Sequence, residues 1–271
     1  MDELKVKEFY RVQKNIGFIG LSPEPISVIM KNNPGDIYVD DIDIPKTALI
    51  WSYGIEGFYL VGDSSNKKTN NEIKELVNNI LITRMKEKDY DCFEVTGSTT
   101  LWDRTITDIF GQKELRSWKQ LIFMGDIKTQ ENILRTDLTF KIRNIKDESF
   151  DINRLVNKDY LINELLQFWD GLNTLKKKGN CFYAIINGEI IGMCYTGFVT
   201  DEMKAIGIEI VEKYRRNKVG YNLALNSLHE IVEEGKIPYW DCMDENTASK
   251  RLAEKLELTK LGEYICHGFN I

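Results

Sequence analysis

Residues 206–220 of this sequence read IGIEIVEKYRRNKVG, and this stretch is the most informative about the fold. Its first part alternates isoleucine with Gly207 and Glu209, which is the period-two pattern of a β-strand. A basic turn follows, and beyond it the apolar positions of residues 219–232 recur at helical spacing. The stretch therefore predicts a strand over 205–211 that passes through a basic turn directly into a helix.

The turn and the start of that helix predict an anion-binding site. The first backbone N–H groups of a helix have no partner within the helix, and they lie at the positive end of its dipole. Arg215, Arg216 and Lys218 add positive charge, and Gly220 would let a ligand approach the backbone closely. A solvated basic turn with a chance glycine is the alternative, and the spacing alone does not decide between the two.

The sequence on either side of this stretch completes an alternation of strands and helices. Two β-rich runs, 182–186 and 189–199, are separated by Asn187-Gly188, a pair that favours a tight hairpin turn. The other predicted elements are a strand over 138–142, a helical region over 152–175, a strand over 238–243, a helix capped by Asn246, and a pair of strands between 261 and 269. This order predicts an α/β or α+β fold in which helices flank a mixed central sheet.

The chain is long enough for two domains. Its 271 residues compare with about 150 residues for a typical domain. Segment 125–136 is polar and lacks clear periodicity, so we place the junction there, between a first domain of residues 1–130 and a second of residues 131–271.

The first domain reads as a degenerate copy of the second. At an offset of 150 residues, Arg215 aligns with Ser65 and Gly220 aligns with Asn70. The same offset matches 57–61, 72–82 and 90–94 with 207–211, 222–232 and 240–244. We therefore expect the first domain to keep a related sheet but to lack the anion site. It would then serve as a scaffold, an acceptor wall or a dimer surface.

Composition excludes several classes of protein. A net charge of -6 disfavours non-specific binding to nucleic acid or to anionic membranes, which depends on clustered Lys and Arg. Five scattered cysteines without a CxxC pair, and only two histidines, disfavour a metal site and a disulfide framework, and they fit a reducing compartment. No apolar run approaches the roughly 20 residues of a membrane span, and the N-terminus lacks a signal-peptide core. We expect a cytoplasmic protein.

Two motifs resemble those of the GNAT superfamily of acetyl-CoA-dependent N-acetyltransferases. Residues 214–220 resemble the family's pyrophosphate-binding motif, Arg/Gln-x-x-Gly-x-Gly/Ala. Residues 246–256 are similar to its second motif, a helix that begins with Asn-x-x-Ala-x-x-Leu-Tyr. Residues 238–242 are similar to a bacterial branch that includes zwittermicin-resistance-type acetyltransferases, and the resemblance as a whole covers about residues 138–269.

The resemblance implies a sheet that splays between strands 205–211 and 237–243. The pantetheine arm of acetyl-CoA would lie in the splay and the pyrophosphate on the loop amides, while Asn246 would orient the thioester end or simply cap its helix. The cofactor-binding residues so implied are Ile208, Ile210, Arg215, Arg216, Asn217, Lys218, Val219, Gly220, Tyr221 and Asn246.

The sequence departs from the family pattern at three places. Lys218 stands where the first glycine is usual, and Glu257-Leu258 replaces a terminal Gly-Phe. Ala253 stands where many members have a tyrosine that protonates the departing thiolate. Tyrosines elsewhere could substitute as the general acid, and the candidates are Tyr221, Tyr239 and Tyr264, of which we name Tyr264 as the catalytic candidate.

Glu209 is the candidate general base. It is the sole carboxylate within its strand, and it would face away from Ile208 and Ile210. N-acetylation needs a neutral amine, so this carboxylate could take the proton from an ammonium directly or through water. The alternative is an exposed strand residue without a role. Cys242 reads as a core residue rather than as an acyl carrier, and His267 as structural or exposed.

The resemblance implies transfer of an acetyl group from acetyl-CoA to a primary amine of a small molecule, by direct transfer in a ternary complex. No metal, nucleic acid or membrane partner is expected, and a homodimer is one assembly that the sequence leaves open. Two alternatives remain: a non-catalytic CoA-binding or interaction module, and a tandem-domain acyl or aminoacyl transferase with another donor.

Overall fold

The fold is that of a computed structural model, in which residues 1–17, 22–125 and 138–271 are described. The chain divides into two compact units. The first unit comprises Met1–Gln120 and Glu263–Ile271, and the second comprises Leu121–Gly262. The predicted domain boundary at residue 130 lies outside the described residues. The predicted domains assign the C-terminal residues to the second domain, whereas the compact units assign them to the first.

The first half of the chain begins with short strands and helices and then alternates the two. Its elements are β1 (Asp2–Glu3), α1 (Tyr10–Asn15), α2 (Pro23–Ile29), β2 (Gly35–Val39), β3 (Thr47–Ser52), β4 (Gly57–Gly62), α3 (Lys67–Leu76), a π-helical segment (Val77–Leu81), α4 (Ile82–Lys86), β5 (Cys92–Gly97), α5 (Thr100–Phe110) and β6 (Arg116–Met124).

The second half follows a similar order. Its elements are β7 (Lys141–Asn144), α6 (Lys158–Phe168), α7 (Leu172–Lys178), β8 (Cys181–Ile186), β9 (Glu189–Val199), β10 (Met203–Ile210), α8 (Val219–Glu233), β11 (Ile237–Met243), α9 (Thr247–Lys255) and β12 (Thr259–Asn270).

In the first unit the strands run in the spatial order β1-β2-β3-β4-β5-β12. Strands β4 and β5 are parallel, and the other neighbours pair antiparallel. One face packs against α3, α4 and α5 through an apolar cluster that includes Trp102 and Phe110. The other face packs against α1 and α2 through Val12 and Val28.

In the second unit the strands run in the order β6-β11-β10-β9-β8-β7. Strands β10 and β11 are parallel, and β7 to β10 pair antiparallel in sequence. Helices α8 and α9 bury Leu223 and Ala253 on one face, and α6 and α7 bury Leu161 and Leu175 on the other. The predicted mixed α/β sheet with flanking helices is confirmed.

The hairpin that joins β8 and β9 forms where the sequence predicts it. Asn187 and Gly188 have φ values of 49° and 81°, as a type I′ turn requires at both central positions. Ile186 and Glu189 pair directly across the turn. This hairpin fixes the register of β9, and β9 in turn carries β10 along almost its whole length.

Two predicted elements of the second half are wrong in detail. The predicted pair of strands between 261 and 269 is one continuous strand, β12, because the segment contains no turn-forming pair. Its Gly268 serves close packing instead, since a Cβ there would lie 2.9 Å from the carbonyl oxygen of Phe93. The predicted helical region 152–175 is divided into α6 and α7, with Gly171 between them.

The two units repeat the same order of elements. Strand β4, helices α3 and α4, strand β5 and helix α5 correspond to β10, α8, β11 and α9, and each set contains one parallel strand pair. The predicted relationship between the halves is therefore confirmed at the level of fold. The predicted constant offset of 150 residues does not hold for every element. Strands β5 and β11 begin at residues 92 and 237, whereas helices α3 and α8 begin at residues 67 and 219.

Among the described residues, no helix combines the length and the apolar character that crossing a membrane requires.

Candidate active site

Strands β10 and β11 of the second unit pair over only part of their length. Their register joins Met203 to Ile237, and it ends where Ala205 meets Tyr239. Beyond that point β10 continues to residue 210 and β11 to residue 243 without further pairing between them. A β-bulge between Ala205 and Ile206 on the β9 side lies where the separation begins. The structure thus contains an opening between two parallel strands, as the sequence resemblance implies.

The backbone of Ile208 and Ile210 faces this opening. The N–H of Val211 donates to the carbonyl oxygen of Ile191 on β9 at 3.0 Å. Because backbone groups in an antiparallel pair alternate in direction along the strand, residue 209 faces β9 and residues 208 and 210 face away from it. The Ile210 carbonyl accepts a hydrogen bond from Arg215 Nε at 3.1 Å, which ties the basic loop to the strand.

The loop that follows β10 holds two residues in the left-handed conformation. Arg216 has a φ of 64° and Lys218 a φ of 61°, and both side chains are exposed together with those of Arg215 and Asn217. Lys218 is the N-cap residue of α8, and its own side chain makes no capping hydrogen bond with that helix end. Backbone N–H groups turned to one side by such conformations form concave anion sites. The loop therefore presents uncapped amides and cationic side chains in one place.

The left-handed backbone at residue 218 explains why a glycine would suit that position. A residue with a Cβ loses about 1–2 kcal/mol in the left-handed region, and glycine does not. We expect Lys218→Gly to stabilise the protein by about 0.5–1 kcal/mol, since glycine's greater freedom in the unfolded chain offsets part of the gain. Urea unfolding measures this effect. Asn217→Gly in the same loop is the control, because residue 217 has no positive φ, and an equal gain there would contradict the explanation.

Gly220 lies in the first turn of α8 and faces the opening. A Cβ at this position would lie 3.4 Å from Ile208 Cδ1, 3.5 Å from Ile210 Cγ1 and 3.6 Å from Leu252 Cδ2. These are ordinary contact distances, so an alanine fits and a longer side chain would extend among these three residues. Gly220 therefore keeps the space beside the loop amides open.

Val219 and Tyr221, on either side of Gly220, have buried side chains. Both side chains are buried in the core cluster under α8, and the Lys255 ammonium lies 5.2 Å from the centre of the Tyr221 ring. They can contribute backbone amides to an anion, but the Tyr221 ring is part of the core.

Asn246 caps helix α9. Its Oδ1 accepts a hydrogen bond from the Ser249 N–H at 3.1 Å, and Ser249 Oγ in turn accepts one from Trp240 Nε1 at 2.8 Å. The capping prediction is confirmed. The second predicted role of Asn246, orienting the thioester end of the pantetheine arm, stays a prediction.

Glu209 lies on the sheet face opposite α8, beside a second carboxylate that the sequence analysis missed. Glu164 of α6 accepts a hydrogen bond from the Tyr195 hydroxyl on β9. The Tyr195 ring covers Gly207, where a Cβ would lie 2.5 Å from Cζ of the ring, so this position requires glycine. Tyr160 precedes Glu164 by one helical turn. The four-residue spacing of Tyr160 and Glu164 was the only sequence signal for this acidic face.

Burial and neighbouring negative charges raise the pKa values of two side chains on this face, Glu209 and Tyr160. Burial raises the pKa of Glu209, the negative charge of Glu164 raises it further, and Arg215 offsets part of the rise. Burial, followed by the charges of Glu209 and Glu164, raises the pKa of Tyr160 to about 12. A carboxylate with a raised pKa is better matched to accepting a proton near neutral pH than an ordinary glutamate.

The candidates for a general acid are less well placed than Glu209, the candidate general base. Ala253, at the position where the family often has tyrosine, is fully buried in the core, and Tyr239 is buried as well. Tyr264 lies in the part of β12 that belongs to the first unit, whereas the other predicted site residues belong to the second.

Cys242 is buried, and burial raises the pKa of its thiol, which disfavours a thiolate nucleophile.

The first unit closes the corresponding site in two ways. Its parallel strands β4 and β5 pair from Gly57 to Leu60, and the Ser98 N–H continues the ladder to the Leu60 carbonyl oxygen at 2.9 Å. At the start of α3, Asn66 Oδ1 accepts from the N–H groups of residues 68 and 69 at 3.1 and 3.3 Å. The preceding loop carries the Asp63 carboxylate, while the helix itself begins with Lys67 and Lys68. Helix-end amides of the kind predicted to bind an anion in the second unit are thus satisfied by a side chain in the first.

This chain is similar to known acetyltransferases along most of its length. A family model described as GNAT acetyltransferase matches residues 23–267. The Bacillus subtilis (strain 168) protein named uncharacterized N-acetyltransferase YdfB is 22% identical over 240 residues, which cover 88% of this chain and 87% of YdfB.

Solved structures share the fold across both units. A GCN5-related N-acetyltransferase-like protein from Streptococcus suis 89/1591 has a TM-score of 0.65 and 19% identity, covering 96% of this chain and 98% of its own. A tandem GNAT protein from the clavulanic acid biosynthesis pathway has a TM-score of 0.60 and 8% identity, covering 97% and 95%. At these identities the likeness establishes the fold.

Proposed function

Because this chain belongs to the GNAT acetyltransferase family, we propose that its second unit transfers an acetyl group from acetyl-CoA to a primary amine of a small molecule. The observation that carries the proposal is the open pair of strands β10 and β11 beside the uncapped, cationic start of α8. A phosphate chain and an extended arm need such a combination, namely amides with positive charge at one end and unpaired strand backbone at the other.

Acetyl-CoA supplies the acetyl group as a thioester. In the proposed complex the amides of residues 216–221 and the cations Arg215, Arg216 and Lys218 hold the pyrophosphate. The backbone of Ile208 and Ile210 lies along the pantetheine arm, and since Arg215 already donates to the Ile210 carbonyl, Ile208 offers the more available carbonyl. Asn246 is proposed to act at the thioester end in addition to capping α9.

Glu209 is proposed as the general base. An amine that binds as an ammonium must lose a proton before its nitrogen can attack the thioester carbonyl. Glu209 accepts that proton, and direct transfer in a ternary complex then needs no acyl-enzyme. Burial and, after it, the charge of Glu164 keep the pKa of Glu209 high, and Glu164 adds negative charge that favours a cationic acceptor. Tyr264 stays a prediction for the general acid.

We assign one cofactor site to each chain. The first unit has a paired strand ladder and a self-capped helix where the second has its opening and loop. The first unit is proposed as a scaffold, an acceptor wall or a dimer surface. We also propose that the chain belongs to the zwittermicin-resistance-type branch, which residues 238–242 resemble. A cytoplasmic location is part of the same proposal.

A non-catalytic acetyl-CoA-binding module is the second candidate. The buried Ala253 favours it, because the usual proton donor for the thiolate is missing from that helix. A thiol-release assay with acetyl-CoA and a panel of small amines separates the two. Amine-dependent release of CoA supports the enzyme. Cofactor binding with no release on any amine supports the module, and release only with another acyl-CoA or an aminoacyl donor supports a transferase of a different donor class.

The cap of the first unit provides a matched prediction. Asn66→Ala removes the side chain that satisfies two helix-end amides, so it is expected to lower the free energy of unfolding by about 1 kcal/mol. The same variant is expected to bind acetyl-CoA with unchanged affinity, because this helix end is not the proposed site. Urea unfolding and calorimetric titration measure the two effects. A weaker affinity without unfolding would place a cofactor contact in the first unit.

A further inference from the structure

His267 of the first unit is hydrogen-bonded through both nitrogens of its ring. Its Nδ1 lies 2.8 Å from Ser117 Oγ on β6, and its Nε2 lies 3.4 Å from Asp103 Oδ1 on α5. All three residues belong to the first unit. A hydroxyl, an imidazole and a carboxylate linked in this order form the arrangement in which a serine is activated as a nucleophile.

The partners of His267 fix the positions of its protons. An ionised carboxylate only accepts hydrogen bonds, so the contact with Asp103 requires a proton on Nε2. In a neutral imidazole Nδ1 then carries the lone pair and accepts the hydrogen bond from the Ser117 hydroxyl. This is the tautomer that a general base needs, since the free lone pair faces the proton to be removed.

The exposure of the three side chains suits these roles. Ser117 is exposed, whereas the His267 side chain is 5% exposed and that of Asp103 is 31% exposed. His267 is held in place from β5, where it pairs with Val95 in the antiparallel ladder. Asp103 lies in the first turn of α5. A nucleophile open to solvent thus contacts a shielded base that a carboxylate orients.

We propose that Ser117, His267 and Asp103 form a second catalytic site, which hydrolyses small carboxylic esters. Ser117 Oγ bonds to the ester carbonyl carbon while His267 Nδ1 takes the hydroxyl proton. The ester C–O bond then breaks, and the proton passes from His267 to the departing alkoxide. A water molecule, deprotonated by His267, attacks the acyl-serine, the acyl–oxygen bond breaks, and His267 returns that proton to Ser117 Oγ. The acyl group leaves as a carboxylic acid, which gives its remaining proton to solvent. Asp103 is a positioning residue.

This proposal is independent of acetyl transfer. Its residues lie in the first unit, and the proposed acetyl-CoA site lies in the second. Gly220→Glu, which is aimed at the acetyl-CoA site, is therefore expected to leave ester hydrolysis unchanged. The failure of either proposal leaves the other intact.

The test uses the full chain with p-nitrophenyl acetate and a fluorophosphonate probe. We expect the wild type to hydrolyse the ester and to be labelled, and Ser117→Ala to lose labelling and at least about 100-fold in rate. Asp103→Asn should slow labelling while Ser117 remains in place, because an amide does not enforce the productive tautomer. Ser117 is exposed, so its removal does not threaten folding, which circular dichroism checks.

Ser65→Ala is the matched control. Ser65 is an exposed serine of the same unit, and its hydroxyl donates a hydrogen bond to the Asp63 carboxylate at 2.7 Å. Its partner in that hydrogen bond is thus a carboxylate and not a histidine. Its loss should change neither labelling nor hydrolysis. An unlabelled wild type, or a Ser117→Ala variant labelled as fast as the wild type, would overturn the proposal and leave the hydrogen-bonded chain as a structural tie.

Discussion

Gly220→Glu is expected to abolish binding of acetyl-CoA, with the dissociation constant rising at least about 100-fold, or about 2.7 kcal/mol. The new side chain starts 3.4–3.6 Å from Ile208, Ile210 and Leu252, so it extends into the opening where the cofactor is proposed to lie. Its carboxylate also places negative charge beside the amides that are proposed to hold the pyrophosphate. Calorimetric titration with acetyl-CoA measures the loss.

The fold should survive this substitution. Glutamate forms helix more readily than glycine, and a negative charge in the first turn of a helix interacts favourably with its dipole. Gly220→Ala is the control, because its Cβ meets only ordinary contacts and it carries no charge. A folded Gly220→Glu variant that binds acetyl-CoA as tightly as the wild type would show that the loop and opening are not the cofactor site.

Glu209→Gln is expected to lower kcat by about 10²–10³-fold with little change in acetyl-CoA affinity, because the amide cannot accept the proton of the acceptor ammonium. The variant keeps the size of the side chain and its place on the face of β10 opposite α8. Steady-state kinetics with a fixed amine and binding titration measure the two quantities. Full activity in the folded variant would remove Glu209 from the mechanism.

The pH profile gives this assignment a second readout. Because the pKa of Glu209 is raised, the carboxylate is protonated at a higher pH than an ordinary glutamate, and activity should fall as the pH drops through that raised value. Glu164→Gln removes one cause of the rise, so the acidic limb should move to lower pH, although burial keeps part of the shift. An unmoved acidic limb in Glu164→Gln would show that the limb reports another group.

The loop could be predicted from the sequence because its determinants are local. Alternating isoleucines, a cationic turn and Gly220 in a first helical turn lie within residues 206–220, and they encode strand, loop and helix in order. Asn187-Gly188 encodes its hairpin in the same way, since a type I′ turn needs positive φ at both residues. Only the motif resemblance, not the residue pattern, indicated the opening between β10 and β11, because strand pairing joins segments far apart in the chain.

Other features depend on tertiary packing and were missed for that reason. Glu164 is a polar residue of an amphipathic helix, and only the packing of α6 against β9 places it against Tyr195 and beside Glu209. The sequence indicated a structural or exposed role for His267, because its partners Ser117 and Asp103 are 150 and 164 residues away in sequence. The assignment of the last residues of β12 to the first unit likewise depends on pairing with β5, which no local pattern encodes.

Calorimetric titration of the full chain with acetyl-CoA, with free CoA for comparison, tests the central claim most directly. The account predicts one saturable site per chain, since the second unit has an open strand pair and an uncapped helix start whereas the first unit has neither. Two sites per chain would contradict the assignment of a single working unit. An absence of binding to a folded protein would contradict the proposed acetyl-CoA site altogether.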